Sequence, residues 1–235
     1  MTTSGTTAFN LDLTDLVEEA YERVGAELRT GYDLRTARRS LDLMFANWAN
    51  RGINMWTFEQ GSINLVPGQA TYNLPADTVD LLEHVIRTGA GNVSTQADLT
   101  ITRISVSTYA TIPNKLTQAR PIQVWIERLE SAPRITVWPV PDNSQPYTFV
   151  YWRMRRIDDA GNGVNTMDVP FRFYEAMVAG LAYHLALKVP NGLERLQVLK
   201  AQYDEAWDLA STEDREKAPV RFVPRSMFIG GGGGY

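Results

Sequence analysis

The chain has 235 residues, 44% hydrophobic and 21% charged, enough apolar material for one sizeable core or two small ones. Lys and Arg total 23 against 27 Asp and Glu, a formal net charge of -4, which is not the balance of a dedicated nucleic-acid binder. The absence of cysteine excludes disulfides, thiolate metal sites, iron–sulfur clusters and cysteine nucleophiles.

No apolar run has membrane-spanning length, and MTTSGTTAFN has neither the basic nor the apolar region of an export signal, so neither a membrane partner nor a leader is expected. Residues 1–11, rich in Thr, Ser and Gly, read as a flexible N-terminus. Leu13, Leu16, Val17, Ala20, Val24 and Leu28 then recur at helical spacing among acidic residues, predicting an amphipathic helix near 12–29. Gly31 breaks the pattern and Asp33 can cap a second helix. Its stripe is Leu34, Ala37, Leu41, Phe45 and Trp48, and Gly52 stops it. The short link predicts an antiparallel helix hairpin.

From Trp56 the period becomes two. Ile63 and Leu65, a Pro67-Gly68 turn, and Ala70, Tyr72 and Leu74 read as a β-hairpin. Further strands are expected at 82–88, 99–104, 122–128, 134–140 and 147–155, rich in β-branched and aromatic residues. Helical spacing returns after 160–166. Residues 171–189 are apolar on most of their circumference and must be buried, and Leu193, Leu196, Lys200, Tyr203, Trp207 and Ala210 trace a fourth helix. The fold class is therefore α+β: a four-helix bundle of N- and C-terminal helix pairs (12–52 and 160–211), an inserted antiparallel, sandwich-like β domain (53–159), and an extended arm (212–235).

That arm combines Lys217, Arg221 and Arg225 with Phe222, Val223, Met227, Phe228 and Ile229, while its prolines and closing glycines oppose helix and central strand. An extended segment docking on a partner satisfies both facts; folding back over its own subunit, or disorder, are the alternatives.

Chemistry is sparse. His84 and His184 have no second ligand at i+3 or i+4 spacing, no phosphate-binding glycine loop or GxSxG elbow is present, and Gly89 and Gly91 lack the third glycine of a dinucleotide loop. No metal and no cofactor are expected. The neighbouring carboxylates Glu18/Glu19, Glu127/Glu130 and Asp158/Asp159 diverge on regular elements, so a glycosidase acting through Glu127 or Asp158 is a weak alternative to solvated charge. Two arginine clusters, Arg35, Arg38 and Arg39 on helix 2 and Arg153, Arg155 and Arg156 at the last strand, could touch DNA phosphate. With Asp33, Asp42, Asp158 and Asp159 close by, they equally suit ion pairs within or between subunits. Trp125, Trp138, Tyr147, Phe149, Tyr151 and Trp152 could form a stacking platform or a sheet core, and a carbohydrate- or ligand-binding module stacking sugars on Trp125 and Trp138 is the alternative function.

The order of LDLMFANWANRG (41–52), YNLPAD (72–77) before LLEHVI, RPIQVWIER (120–128), PRITVWPVPD (133–142) and the closing helices resembles the head-to-tail adaptor, or head-completion, proteins of tailed bacteriophages, chiefly short-tailed ones. The resemblance covers most of the chain; each motif is weak and their order carries it. It implies a non-enzymatic virion protein at the head–tail junction, assembled in the host cytoplasm as a ring of twelve copies. Such a ring docks on the portal, extends the DNA channel and meets the tail or nozzle protein. It further implies that the helices make the ring contacts, that the arm binds the portal, and that double-stranded DNA passes without sequence-specific binding. The mild acidity agrees, because a channel dense in Lys and Arg would hold DNA tightly. The pentaglycine end departs from the family pattern.

Overall fold

The computed structural model describes residue 5 and residues 11–29, 31–51, 55–162, 164–190 and 192–214. Most of the N-terminal stretch, Gly52, Asn191 and the arm from residue 215, with Arg221, Phe222, Val223, Arg225, Met227, Phe228 and Ile229, lie outside the described residues.

Helix α1 (Leu13–Val24) is capped by Asp12, whose carboxylate accepts the Asp15 N–H at 2.9 Å. It ends earlier than its apolar pattern predicts. Gly25, at φ 86°, turns left-handed and donates to the carbonyls of Tyr21 and Glu22, and only glycine takes that conformation cheaply. Helix α2 (Gly31–Asn50) starts at the glycine expected to separate the helices, and buries Ala37, Leu41, Met44, Phe45 and Trp48. The expected hairpin is not the packing unit: α1 and α2 touch little, and each packs mainly on a later helix.

The middle of the chain forms two four-stranded sheets. Strands β1 (Phe58–Asn64), β2 (Thr71–Asn73), β3 (Thr78–Thr88), β4 (Ala97–Thr100) and β5 (Thr102–Ile104) precede a short helix, α3 (Val106–Ala110), which the sequence pattern did not suggest. Strands β6 (Gln123–Glu127), β7 (Arg134–Trp138) and β8 (Tyr147–Arg155) complete the set. The sheet orders are β1-β8-β3-β4 and β2-β7-β6-β5.

This topology corrects the predicted hairpin at 63–74, because β1 pairs with β8 and β2 with β7, so the Pro67-Gly68 turn is a corner between sheets. The Tyr72 hydroxyl pins the corner by accepting the Val66 N–H and donating to the Gln69 carbonyl, both at 2.8 Å, while Gly68 sits at φ 80°. The predicted strand 99–104 is likewise divided between the sheets as β4 and β5. The insertion is not wholly antiparallel either, since β5 runs parallel to β6. Alternation still fixes the faces: Val124 and Ile126, Ile135 and Val137, and Tyr147, Phe149 and Tyr151 all turn into one apolar cluster shared by both sheets.

Helix α4 (Tyr174–Ala186) follows a 3₁₀ turn (Phe171–Phe173) and is buried on nearly every side, as its composition requires. Helix α5 (Leu196–Glu213) follows another 3₁₀ turn (Gly192–Arg195) and takes in the first two residues, 212 and 213, of the predicted arm. Its buried stripe is Leu199, Tyr203 and Ala210, with Leu196 and Trp207 half-buried; Leu193 and Lys200, expected on that stripe, face solvent. Residues of α1, α2, α4 and α5 form a single apolar cluster, with α4 at its centre.

Candidate functional site

The two arginine clusters meet different fates. Arg153 and Arg155 alternate onto one face of β8, where Glu59 of β1 lies opposite Arg153 in the ladder. Arg153 grips the Asp77 carboxylate with two N–H groups at 2.6 and 3.0 Å and reaches Glu59 at 2.8 Å. Arg155 donates to Glu59 at 2.8 Å and grips Asp168 in the same two-pronged way, with one bond of 2.9 Å. The hydrogen bonds it donates to Asp168 hold the Arg155 guanidinium above its ordinary pKa despite partial burial, and Arg153 in turn lowers that of Asp77. Arg156 donates to the Ala76 carbonyl at 2.6 Å.

This network is a joint between sheet and helices. Asp168 lies just before the 3₁₀ turn that opens α4, its carbonyl accepts the Trp56 indole N–H at 3.1 Å, and the Trp56 ring packs on Phe173. Its partners were only partly legible: neighbouring Asp158 approaches Arg155 at 4.0 Å, whereas Glu59, Asp77 and Asp168 arrive through sheet pairing and chain return.

Arg35, Arg38 and Arg39 remain on the outside of α2, with Arg35 and Arg39 exposed, and none forms an ion pair among the described residues. The Asp42 carboxylate, a suggested partner, instead accepts the Ala160 N–H at 3.0 Å. Arg39 borders a depression of about 590 Å³ with Tyr32 and Leu43, closed by Ala26, Glu27 and residues 188–190.

The aromatic residues divide similarly. Tyr147, Phe149 and Tyr151 are core, while Trp125 stacks under Tyr109 of α3 at 5.0 Å and Trp138 donates to the Asn114 carbonyl at 3.1 Å. Both tryptophans are thus engaged by the segment between β5 and β6 rather than presented as a bare platform. Glu127 is clasped by Arg134 at 2.8 and 2.9 Å, and Asp158 stands exposed. His84 packs on Phe149, and burial lowers its pKa; His184 lies beside Tyr183, lowered first by burial and then by Lys188. Among the described residues no group of three or more His, Asp or Glu could hold a metal ion, and no helix is long and apolar enough to cross a membrane.

The candidate site is therefore a set of surfaces: the arginine face of α2, the outward face of α5, and the point where the chain continues beyond Asp214, whose carboxylate is held by Arg172. Comparison with curated proteins finds no match. The family model described as SU10 adaptor protein matches residues 11–223, spanning both sheets and all five helices. With that match over nearly its whole length, the chain belongs to the SU10 adaptor protein family, bacteriophage structural adaptors rather than enzymes.

Proposed function

We propose that this protein is a ring-forming head-to-tail adaptor that docks on the portal, extends the DNA channel and connects it to the tail or nozzle protein, in twelve copies. The observation that carries this reading is the reach of the family match. It begins at residue 11, takes in every described element and runs beyond Asp214 to residue 223, into the basic and apolar arm.

In this reading residues 12–52 and 160–211 are the halves of a four-helix bundle, 53–159 is a sandwich-like insertion, and 212–235 is the arm. The chain leaves α5 beside Arg172, so the arm departs from the helices rather than from the sheets. Arg221 and Arg225 offer charge, and Phe222, Val223, Met227, Phe228 and Ile229 offer apolar contact, to a portal groove. The net charge of -4 suits a conduit through which DNA passes without sequence-specific retention, the loose positioning falling to arginines with spare donors such as Arg38 and Arg156. The protein then resides in the virion at the head–tail junction, after assembly in the host cytoplasm.

Deleting residues 218–235 tests the arm. Portal capture is expected to disappear while the circular-dichroism spectrum stays unchanged, and undiminished capture rejects portal docking by the arm. Electron microscopy of the protein mixed with its portal tests the ring.

A further inference from the structure

On α2, Tyr32, Arg35, Arg39 and Leu43 fall within roughly a quarter of the helix circumference at about 100° per residue. All four are exposed, Tyr32 by 68% and Leu43 by 70%, and neither arginine has a hydrogen-bond or ion-pair partner among the described residues. On α5, Val198, Glu205, Asp208 and Leu209 form a face of similar width. Val198 is 61% and Leu209 69% exposed, and the two carboxylates between them are equally unpaired among the described residues. The apolar spacing matches: Tyr32 and Leu43, and Val198 and Leu209, stand eleven positions apart in their helices, or about 16 Å. One face carries two positive charges between its apolar ends, and the other carries two negative charges.

The faces do not meet within one molecule. That of α2 borders the depression closed by Ala26, Glu27 and residues 188–190, whereas that of α5 borders another, beside Arg23 and Glu175, with no residue in common. We propose that the α2 face of one copy docks on the α5 face of the next. This rests on the oligomeric reading above and names the two surfaces that meet.

Pairing α2 with α2 would oppose four arginines, and pairing α5 with α5 would oppose four carboxylates, so like charge excludes both symmetric alternatives. The remaining contact joins two different surfaces and leaves one of each kind free at the ends. It therefore repeats from copy to copy, and closes into a ring when the rotation per step allows. The apolar ends exclude water from the charges between them, and the arginine stems add apolar cover.

Sedimentation velocity at near-physiological salt, over a range of concentrations, tests the assignment with three chains: wild type, R35E/R39E, and E205K/D208K. The substituted side chains hold no partner among the described residues, so both variants are expected to keep wild-type melting temperatures. Each alone is expected to self-associate at least about tenfold more weakly than wild type, because every attraction becomes a repulsion. An equimolar mixture of the two is expected to recover wild-type assembly, since each reversed face then meets its complement. Variants that assemble as well as wild type, or a mixture that recovers nothing, overturn the α2–α5 contact while leaving oligomerisation intact. A wild-type chain that stays monomeric at every concentration, alone and with portal, overturns both readings.

Discussion

The indole N–H of Trp48 donates to the hydroxyl of Tyr203 at 2.8 Å, a buried hydrogen bond between α2 and α5 that closes a loop of 155 residues. The insertion of two sheets separates these helices in sequence, yet the rings of Trp48, Phe173 and Trp207 pack together around the bond, and Arg51 lies over the Tyr203 and Trp207 rings. Tyr203→Phe keeps the ring and strands the indole donor. Leaving a buried donor unsatisfied costs about 1–3 kcal/mol, so urea unfolding is expected to show that loss with an unchanged m-value. A loss below about 0.5 kcal/mol would mean that the donor finds another partner.

Gly180 lies where side chains of α2 and α5 come close to the α4 backbone. A Cβ there would meet Met44 Sδ at 2.6 Å and the Tyr203 ring at 2.8 Å. In an exposed helix, Gly→Ala stabilises by roughly 1 kcal/mol through propensity. Here the thioether of Met44 can move aside, but Tyr203 is tied to Trp48, so overpacking dominates. Gly180→Ala is expected to destabilise by about 1–2 kcal/mol, read as a lower melting temperature. A higher one would show that the crossing relaxes freely.

His84 gives the fold a pH dependence of definite sign. Both ring nitrogens are buried without a hydrogen-bond partner among the described residues, and the ring stacks against Phe149 at 6.0 Å. Burial lowers its pKa from the ordinary 6.5; Glu83 acts in the opposite sense and Arg103 in the same one. Well above pH 6.5 the imidazole is neutral whether the chain is folded or not. As pH falls below that value, the unfolded chain takes up a proton that the folded chain refuses, so stability falls until the folded pKa is reached, by at most about 1.4 kcal/mol per pH unit. His184 adds a contribution of the same sign. Asp77 and Asp80 act in a lower window: burial opposes Asp80's ionisation, but Arg128 and Arg103 outweigh it, and both carboxylates lose their stabilising charge only as pH falls below 3.8. His84→Leu is therefore expected to flatten the fall in urea stability between pH 7 and 5. An unaltered slope would assign it elsewhere.

Some of this architecture follows from the sequence pattern. The repeat of Leu13, Leu16, Val17, Ala20 and Val24 could only be an amphipathic helix, and the burial of α4 follows from a segment with almost no polar face. Strand β8 occupies the predicted residues 147–155 because alternating aromatic and β-branched side chains leave one choice of face. Periodicity states which way a side chain turns, but not which strand lies alongside. Ile63 and Tyr72 therefore looked like one hairpin, whereas Asn64 pairs with Thr148 and Tyr72 with Ile135 in separate sheets.

The charged surface divides along the same line. Sequence alone determined that Arg35 and Arg39 share a helix face and that Arg153 and Arg155 share a strand face, since local geometry fixes both. Folding brings Glu59, Asp77 and Asp168 onto the second pair and leaves the first without partners among the described residues. A hydrogen bond depends on distance in space, and contacts spanning 94 residues, as between Arg153 and Glu59, are set by how sheets and helices close on one another.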